Sequence, residues 1–301
     1  MMQSFDSSSP QQQWRYPLYA VQKGNNAVPL RSLSEDDLQS LQRHNKLYFD
    51  ARNRFRLFEI MKRNYGEWER FIKTLEDPKL RVSGDAMTEL DRLMLNFLSS
   101  VNALFNHFKV HFCRFAVGDD SKKKFDDYVR NLEKTNPTYA FFADLRDFVQ
   151  HCELPVGHMQ RAETGAGKVT LTVTTEASWL VENCSNWRRT WRRSRLTKDS
   201  GWFDLISMMK DLRHLLIEDF GKFTASIYGP PLLETHNFFA SLDIDAEKAK
   251  GDGALMVLVE SFESQPGEKG AVHFQIRTSV LPRDVFKEVG ITLTPIPASQ
   301  L

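Results

Sequence analysis

The chain has 301 residues, of which 41% are hydrophobic and 26% are charged, and it contains 22 phenylalanines and 6 tryptophans. This composition is globular rather than disordered, and the length suits one large domain or two ordinary ones. The formal net charge of +1 excludes a global electrostatic attraction to nucleic acid or to membranes, so charged partners are expected at local patches.

The cysteines and the hydropathy of the chain indicate the cellular compartment of the protein. The chain has three widely spaced cysteines, Cys113, Cys152 and Cys184. An odd number at such spacing predicts neither a disulfide framework nor a zinc ribbon, and favours a reducing compartment. The N-terminal residues lack the pattern of a secretory signal, and no run of 18 apolar residues occurs. We therefore expect a cytoplasmic protein with no membrane partner.

The N-terminal half is predicted to be helical. Residues 1–30 are expected to be a flexible segment. Ser34, followed by three acids, predicts an N-cap and the start of a long helix whose apolar residues recur at steps of three and four as far as Met61. The same periodicity predicts a second helix from about 84 to 112, a third at about 121–133, and a fourth from Pro137 to about Cys152. Because no strand is predicted among them, we expect an antiparallel helical bundle over 31–157.

The C-terminal half is predicted to mix strands and helices. Residues 168–174 alternate between β-branched and apolar types at period two, and similar runs occur at 254–262 and 271–280. Helices are predicted at about 185–196 and 201–228, and a further helix at about 232–248 follows Pro230-Pro231. We therefore expect a smaller α+β unit over 166–286 with about three strands, and a mobile tail at 287–301. The predicted fold class is mainly α.

Two apparent motifs are rejected. The loop at 162–169 resembles a phosphate-binding loop, but Ala162 and Val169 stand where the motif requires Gly and Ser or Thr, and a strand follows instead of a helix. His107 and His111 lie four residues apart on the second helix, but no further ligands accompany them, and two partly buried histidines explain the pattern more simply. We predict no metal and no cofactor.

The segment 187–195, WRRTWRRSR, is the most basic of the chain, with five arginines and no acid. On a helix, arginines grip phosphates and indoles stack on bases, so the segment is a candidate RNA-binding surface. The alternative is an amphipathic helix whose tryptophans pack on the core while its arginines are solvated. The candidate substrate-binding residues are Trp191, Arg188, Arg192 and Arg195.

The end of the fourth helix carries the candidate catalytic residues Arg146, Asp147 and His151, with Gln150 as a further candidate for substrate binding. Helical geometry places Asp147 and His151 on one face, whereas Arg146 and His151 diverge by about 140°. The two can act together where the last turn distorts before Pro155, or where a second copy of the chain supplies one of them. The alternative is a helix end stabilised by His151, with Arg146 and Asp147 in ordinary ion pairs.

The pattern Arg146-Asp147-x-x-x-His151, late in a helical bundle, resembles the Arg-polar-x(3–5)-His motif of the HEPN (higher eukaryotes and prokaryotes nucleotide-binding) superfamily. The resemblance covers about 34–155. Many members are metal-independent ribonucleases of phage-defence and toxin–antitoxin systems. The resemblance implies a homodimer with a composite cleft, an RNA substrate and a possible antitoxin partner. Family members often have Asn where this chain has Asp147.

Two functional hypotheses follow. In the first, the chain is a metal-independent endoribonuclease: the ribose 2′-hydroxyl attacks, His151 moves protons, and Arg146 stabilises the charged phosphorane. Asp147 is expected to orient the imidazole of His151 or to raise its pKa by its charge. In the second, the chain is a non-catalytic helical binding or adaptor protein that recognises a protein or RNA partner.

Overall fold

The protein is mainly helical, with small antiparallel sheets. It forms two compact units, Met1–Arg52 with Pro230–Leu301 (unit 1) and Asn53–Gly229 (unit 2). The structure, a computed structural model, describes residues 17–21, 27–81, 84–114, 120–164, 167–183, 196–197, 200–248, 255–261, 265–266, 272–273, 276–280 and 285–290.

Unit 1 begins with two strands, β1 (Pro17–Val21) and β2 (Ala27–Ser32), and helix α1 (Glu35–Leu75) follows. The predicted cap of α1 is confirmed: the Asp37 amide donates to Ser34 Oγ at 3.1 Å, and the Ser34 amide donates to Asp37 Oδ2 at 3.2 Å. This reciprocal pair satisfies amide groups that the first turn of a helix leaves without partners. Later in the chain come β6 (Leu255–Ser261), β7 (Gln265–Pro266), β8 (Val272–His273), β9 (Ile276–Val280) and α8 (Val285–Val289). Four of these strands form an antiparallel sheet in the order β2-β1-β6-β9.

A buried hydrogen bond links two helices within unit 1. His44 on α1 and Thr235 on α7 (Gly221–Lys248) lie 2.9 Å apart from Nδ1 to Oγ1. Thr235 Oγ1 also donates to the Pro231 carbonyl at 2.9 Å. Because a hydroxyl has one proton, Thr235 must accept from His44, which places a proton on His44 Nδ1. Phe238 stacks on the His44 ring at 4.6 Å.

Unit 2 contains the helices that carry the candidate site. They are α2 (Ala86–Arg114), α3 (Ser121–Thr135) and α4 (Pro137–His151), which contact one another, together with the later part of α1. Asn136 caps α4 by accepting from the Tyr139 amide at 2.8 Å, and Pro137 occupies the first turn, where its missing N–H costs nothing. The four predicted helices are thus present. Helices α2, α3 and α4 match their predicted bounds to within a few residues, whereas α1 continues to Leu75, well beyond Met61.

A three-stranded antiparallel sheet completes unit 2, in the order β3 (His158–Thr164), β4 (Lys168–Glu176) and β5 (Trp202–Asp204). Gly167, with φ of 70°, lies in the turn between β3 and β4, a conformation that favours glycine. Val169, Leu171 and Val173 are buried at alternate positions of β4. Helix α5 (Ala177–Asn183) follows β4 directly. The Val156 amide, just before β3, donates to buried Asp91 of α2 at 3.0 Å and so fixes the sheet to the bundle.

Helix α6 (Leu205–Leu215) continues through a π-helical segment (Leu216–Phe220) into α7 without interruption. Asp204 caps α6 by accepting from the Ile206 and Ser207 amides. Phe220, at the end of the π segment, is fully buried, and its ring lies 4.5 Å from Phe105 and 5.4 Å from Phe108. The extra residue of the π turn changes the face on which later side chains lie, and Phe220 is placed at the centre of the aromatic core of unit 2.

Several sequence predictions differ from these elements. The strands at 168–174 and 254–280 were expected in one C-terminal sheet, but β4 belongs to unit 2 and β6 and β9 to unit 1. The expected flexible segment 1–30 contains β1 and most of β2. The expected bundle over 31–157 and α+β unit over 166–286 likewise differ from the observed units, because α1 and α7 each contribute to both.

The Pro230-Pro231 pair does not end the helix, as the sequence analysis expected, but lies inside α7. Proline φ is itself close to the helical value, so the pair removes two backbone hydrogen bonds without forcing the chain out of the helix. The division between the two units falls at this point, between Gly229 and Pro230. The expected tail at 287–301 begins inside α8, and residues 291–301 lie outside the described part of the chain.

No helix in the described residues has both the length and the apolar composition of a membrane span. The cytoplasmic location stays a prediction.

Candidate functional site

Arg146 is held in place by two side chains. Its Nε donates to Asp147 Oδ1 at 3.0 Å, and its Nη2 donates to the same oxygen. Its Nη1 donates to Oδ1 of Asn102, a residue of α2 that is 44 positions earlier in the sequence. The side chains of Arg146 and Asp147 are 31% and 27% exposed. The guanidinium is therefore oriented before any ligand arrives and remains accessible to one.

Asn102 has a fixed orientation for the same reason. Its Oδ1 accepts from Arg146 and also from Asn106 Nδ2 at 2.9 Å. A flipped amide would place N–H groups against the guanidinium of Arg146, which has no acceptor, so the oxygen must face Arg146. The Asn102 amide nitrogen consequently keeps its two N–H donors, for which no acceptor occurs among the described residues.

Asp147 has a different role from the one expected. The spacing along the helix predicts that it lies beside His151, four residues later on the same face. In the structure its carboxylate accepts two hydrogen bonds from the adjacent Arg146. Two donors of the guanidinium meet one carboxylate oxygen, and such a charge-assisted pair is stronger than a single hydrogen bond to a neutral imidazole. Asp147 thus orients the candidate cation instead of the candidate base.

His151 is the last residue of α4 and is exposed. It makes no hydrogen bond or ion pair with any residue that the structure describes. Five residues of regular helix separate it from Arg146 by about 7.5 Å along the axis and by about 140° around it. Gln150 is exposed beside it. Within one chain, then, Arg146 and His151 lie near the same helix end but on different sides of the helix.

A small cleft opens beside Arg146, with a volume of about 60 Å³. Arg146 and Asn102 are its charged and amide members. The rest of the lining comes from α2, α4 and α6, namely Leu98, Val101, Phe105, Tyr139, Phe142, Ala143 and Leu212. We call it the Arg146 cleft. Pockets that enclose drug-sized ligands are several times larger, so it does not enclose a nucleotide.

The basic segment lies elsewhere. Trp191, Arg188, Arg192 and Arg195 belong to residues 184–195, which are outside the described part of the chain, as is the helix predicted at 185–196. Their role in RNA binding stays a prediction.

The two histidines of α2 have different environments. His107 is exposed, whereas His111 is 1% exposed and stacks on Tyr228, with 5.6 Å between the ring centroids. Burial, assisted by the positive charge of Arg54, lowers the pKa of His111 to about 4. Among the described residues, no group of three or more His, Cys, Asp or Glu side chains is arranged to hold a metal ion.

Cys152, directly after His151, is disulfide-bonded. This bond differs from the prediction, because three separated cysteines give no spacing signal for a disulfide. Distant cysteines pair when the fold brings them together, and a sequence alone does not report that.

Sequence reasoning missed Asn102. The available signal was weak: an asparagine pair four residues apart, Asn102 and Asn106, interrupts the apolar pattern of α2. Polar residues at helical spacing indicate a face that is not simply core, but they do not identify a partner on α4.

No family model matches the chain. No curated protein and no solved structure matches it either. The likeness to the HEPN superfamily therefore rests on the motif at 146–151 and stays a prediction.

Proposed function

We propose that the chain is a metal-independent endoribonuclease of HEPN type, with a site that two copies of the chain complete. The observation that carries the proposal is the end of α4, where a pre-oriented, partly exposed Arg146 lies five residues before an exposed His151 that is not engaged by the described residues.

The chemistry divides between these two residues. RNA supplies its own nucleophile, the ribose 2′-hydroxyl, so the protein must move a proton and stabilise a dianionic phosphorane. His151 suits the proton transfer because imidazole titrates near neutral pH. Arg146 suits the charge stabilisation, since donors fixed in advance cost no reorganisation during the reaction. Asp147 and Asn102 act as positioning residues that hold the guanidinium.

The placement of the two residues supports a composite site. Arg146 and His151 of one chain lie on different sides of α4, so a single phosphodiester meets both of them more readily when each comes from a different copy. In a two-fold symmetric dimer, two equivalent sites form, each with Arg146 from one copy and His151 from the other.

Cleavage of structured RNA in EDTA tests the chemistry. The wild-type chain is expected to cleave, and His151→Ala to lower the rate by about 100-fold or more, the usual contribution of a general acid or base. His107→Ala is the matched control, because His107 is another exposed helical histidine. Equal loss in both variants, or cleavage by His151→Ala at the wild-type rate, would remove His151 from the mechanism.

Mixing two inactive variants tests the composite site. In a heterodimer of Arg146→Ala and His151→Ala, one site lacks both residues and the other has both. Random pairing should therefore restore about one quarter of the wild-type activity. If the site were contained in one chain, the mixture would stay inactive.

A second candidate is a non-catalytic binding protein. One observation favours it: Asp147 neutralises the charge of Arg146 within the chain, which weakens attraction to a phosphate. The expected results are then a wild-type chain that retains RNA in a gel-shift assay without cleaving it, and retention that His151→Ala leaves unchanged.

A further inference from the structure

The Arg146 cleft combines an apolar interior with a polar corner. Its walls are aliphatic and aromatic, and its polar members are Asn102 and Arg146, apart from the Tyr139 hydroxyl. The cleft lies wholly within unit 2, on helices α2, α4 and α6. A ligand that fits must therefore have an apolar part and a polar part at one end.

The polar corner of the cleft has N–H donors that a ligand with hydrogen-bond acceptors can satisfy. Arginine carries five N–H groups, and three of them bind Asp147 and Asn102. One N–H remains on each terminal nitrogen of Arg146, with no acceptor among the described residues. The amide nitrogen of Asn102 adds two more donors, because its oxygen is taken by Arg146 and Asn106. Four N–H donors correspond to the acceptor capacity of one carboxylate, whose two oxygens have about four lone-pair positions.

The volume limits the apolar part. One water-sized group needs about 10–15 Å³ by the same measure, so a cleft of about 60 Å³ has room for roughly four to six heavy atoms. A purine or a long fatty acid is too large. A branched aliphatic group of three or four carbons fits.

We propose that the Arg146 cleft binds a small aliphatic monocarboxylate of about four or five carbons, with its carboxylate on Arg146 and Asn102 and its hydrocarbon tail between α2 and α4. The proposal does not rest on ribonuclease activity, because it concerns binding of a small molecule by the folded chain.

Titration of the full chain with isovalerate and two related ligands tests both the ligand size and the ligand charge that the cleft requires. Ligand-observed NMR or calorimetry should give a dissociation constant of about 0.1 to 10 mM, the range expected for so few heavy atoms. Acetate lacks the tail and should bind roughly 50-fold more weakly, since about three buried carbons are lost. Isovaleramide has one acceptor and turns its own N–H groups toward the donors, so it should bind at least about tenfold more weakly.

Two matched pairs of variants locate the site. Ala143→Leu fills the cleft and should abolish isovalerate binding, whereas Ala103→Leu, the same change at a half-buried alanine of α2 that does not line the cleft, should leave it unchanged. Arg146→Gln should weaken isovalerate binding by about tenfold or more, whereas Arg130→Gln, which removes an exposed arginine paired with Asp127 on α3, should not.

Several outcomes would overturn the proposal. They are equal binding of acetate and isovalerate, binding that survives Ala143→Leu with the fold intact by circular dichroism, and no saturable binding of isovalerate to the wild-type chain. Each measurement is made without RNA, so failure to cleave RNA does not bear on this result.

Discussion

Buried His111 should make the folded protein less stable in mild acid. Its pKa falls from the ordinary value of 6.5 to about 4, chiefly through burial and further through the charge of Arg54. Between these two values the unfolded chain binds a proton at this position and the folded chain does not. The contribution of His111 to the free energy of unfolding is therefore largest above pH 6.5, falls as the pH drops toward 4, and levels off below that.

The size of the effect follows from the two pKa values. Each pH unit between them corresponds to about 1.4 kcal/mol. From pH 7 to pH 5, the contribution of His111 to the free energy of unfolding should fall by about 2 kcal/mol. Urea denaturation followed by circular dichroism at both pH values measures the total, which also contains other titrating groups.

Comparison of a variant with the wild-type protein isolates the contribution of His111 to this pH dependence. In His111→Phe, a ring remains against Tyr228 and Phe112 but no longer titrates. This variant should lose about 2 kcal/mol less than the wild-type protein between pH 7 and pH 5. His107→Phe, at the exposed position one turn earlier, should follow the wild-type pH dependence. If His111→Phe and the wild-type protein lose the same free energy, His111 is not held neutral by burial, and the reasoning fails.

Two further predictions concern single hydrogen bonds, both measured by urea denaturation. Thr235→Val should lower the free energy of unfolding by about 1–3 kcal/mol, because it leaves the buried His44 Nδ1–H without an acceptor. Thr224→Val should lower it less, since this buried threonine bonds to the Gly221 carbonyl of its own helix. An equal cost would contradict this. Asp204→Ala should lower the free energy of unfolding by about 1 kcal/mol, because it removes the cap of α6. Asp211→Ala, which removes an exposed acid within α6, should change it little. The reverse order would count against the cap.

The elements that local rules define were predictable. Helices α1 and α4 have a side-chain cap at Ser34 and a proline in the first turn at Pro137, respectively, followed by apolar residues at helical spacing. Strand β4 has alternating β-branched residues that bury one face. In each case the signal lies within a few residues of the element, so that no knowledge of distant contacts was required.

The elements that distant contacts define were not predictable. Strand β3, HMQRAET, has no apolar alternation and is mostly exposed, and it is a strand because it pairs along its length with β4. The π segment that ends at Phe220 has no local signature and places that ring in a core built from helices far apart in the sequence. Strand order depends likewise on pairing between the two ends of the chain, as between β1 and β6.

The candidate site follows the same division. The motif of Arg146 and His151 was visible in the sequence, but the partners of Arg146 were not, because Asn102 lies on another helix and Asp147 was assigned to the histidine by its spacing. A substitution of Arg146 would mix its proposed role, donation to a ligand, with an observed one, since it joins α4 to α2 through Asn102. Arg146→Lys does not separate them, since lysine cannot make the forked contact to Asp147 and Asn102 together. His151 makes no such structural contact among the described residues, so a loss of RNA cleavage in His151→Ala would report on the proposed chemistry. Evidence on catalysis should accordingly be taken from His151 first, and Arg146 variants should be interpreted together with the measured stability of each protein.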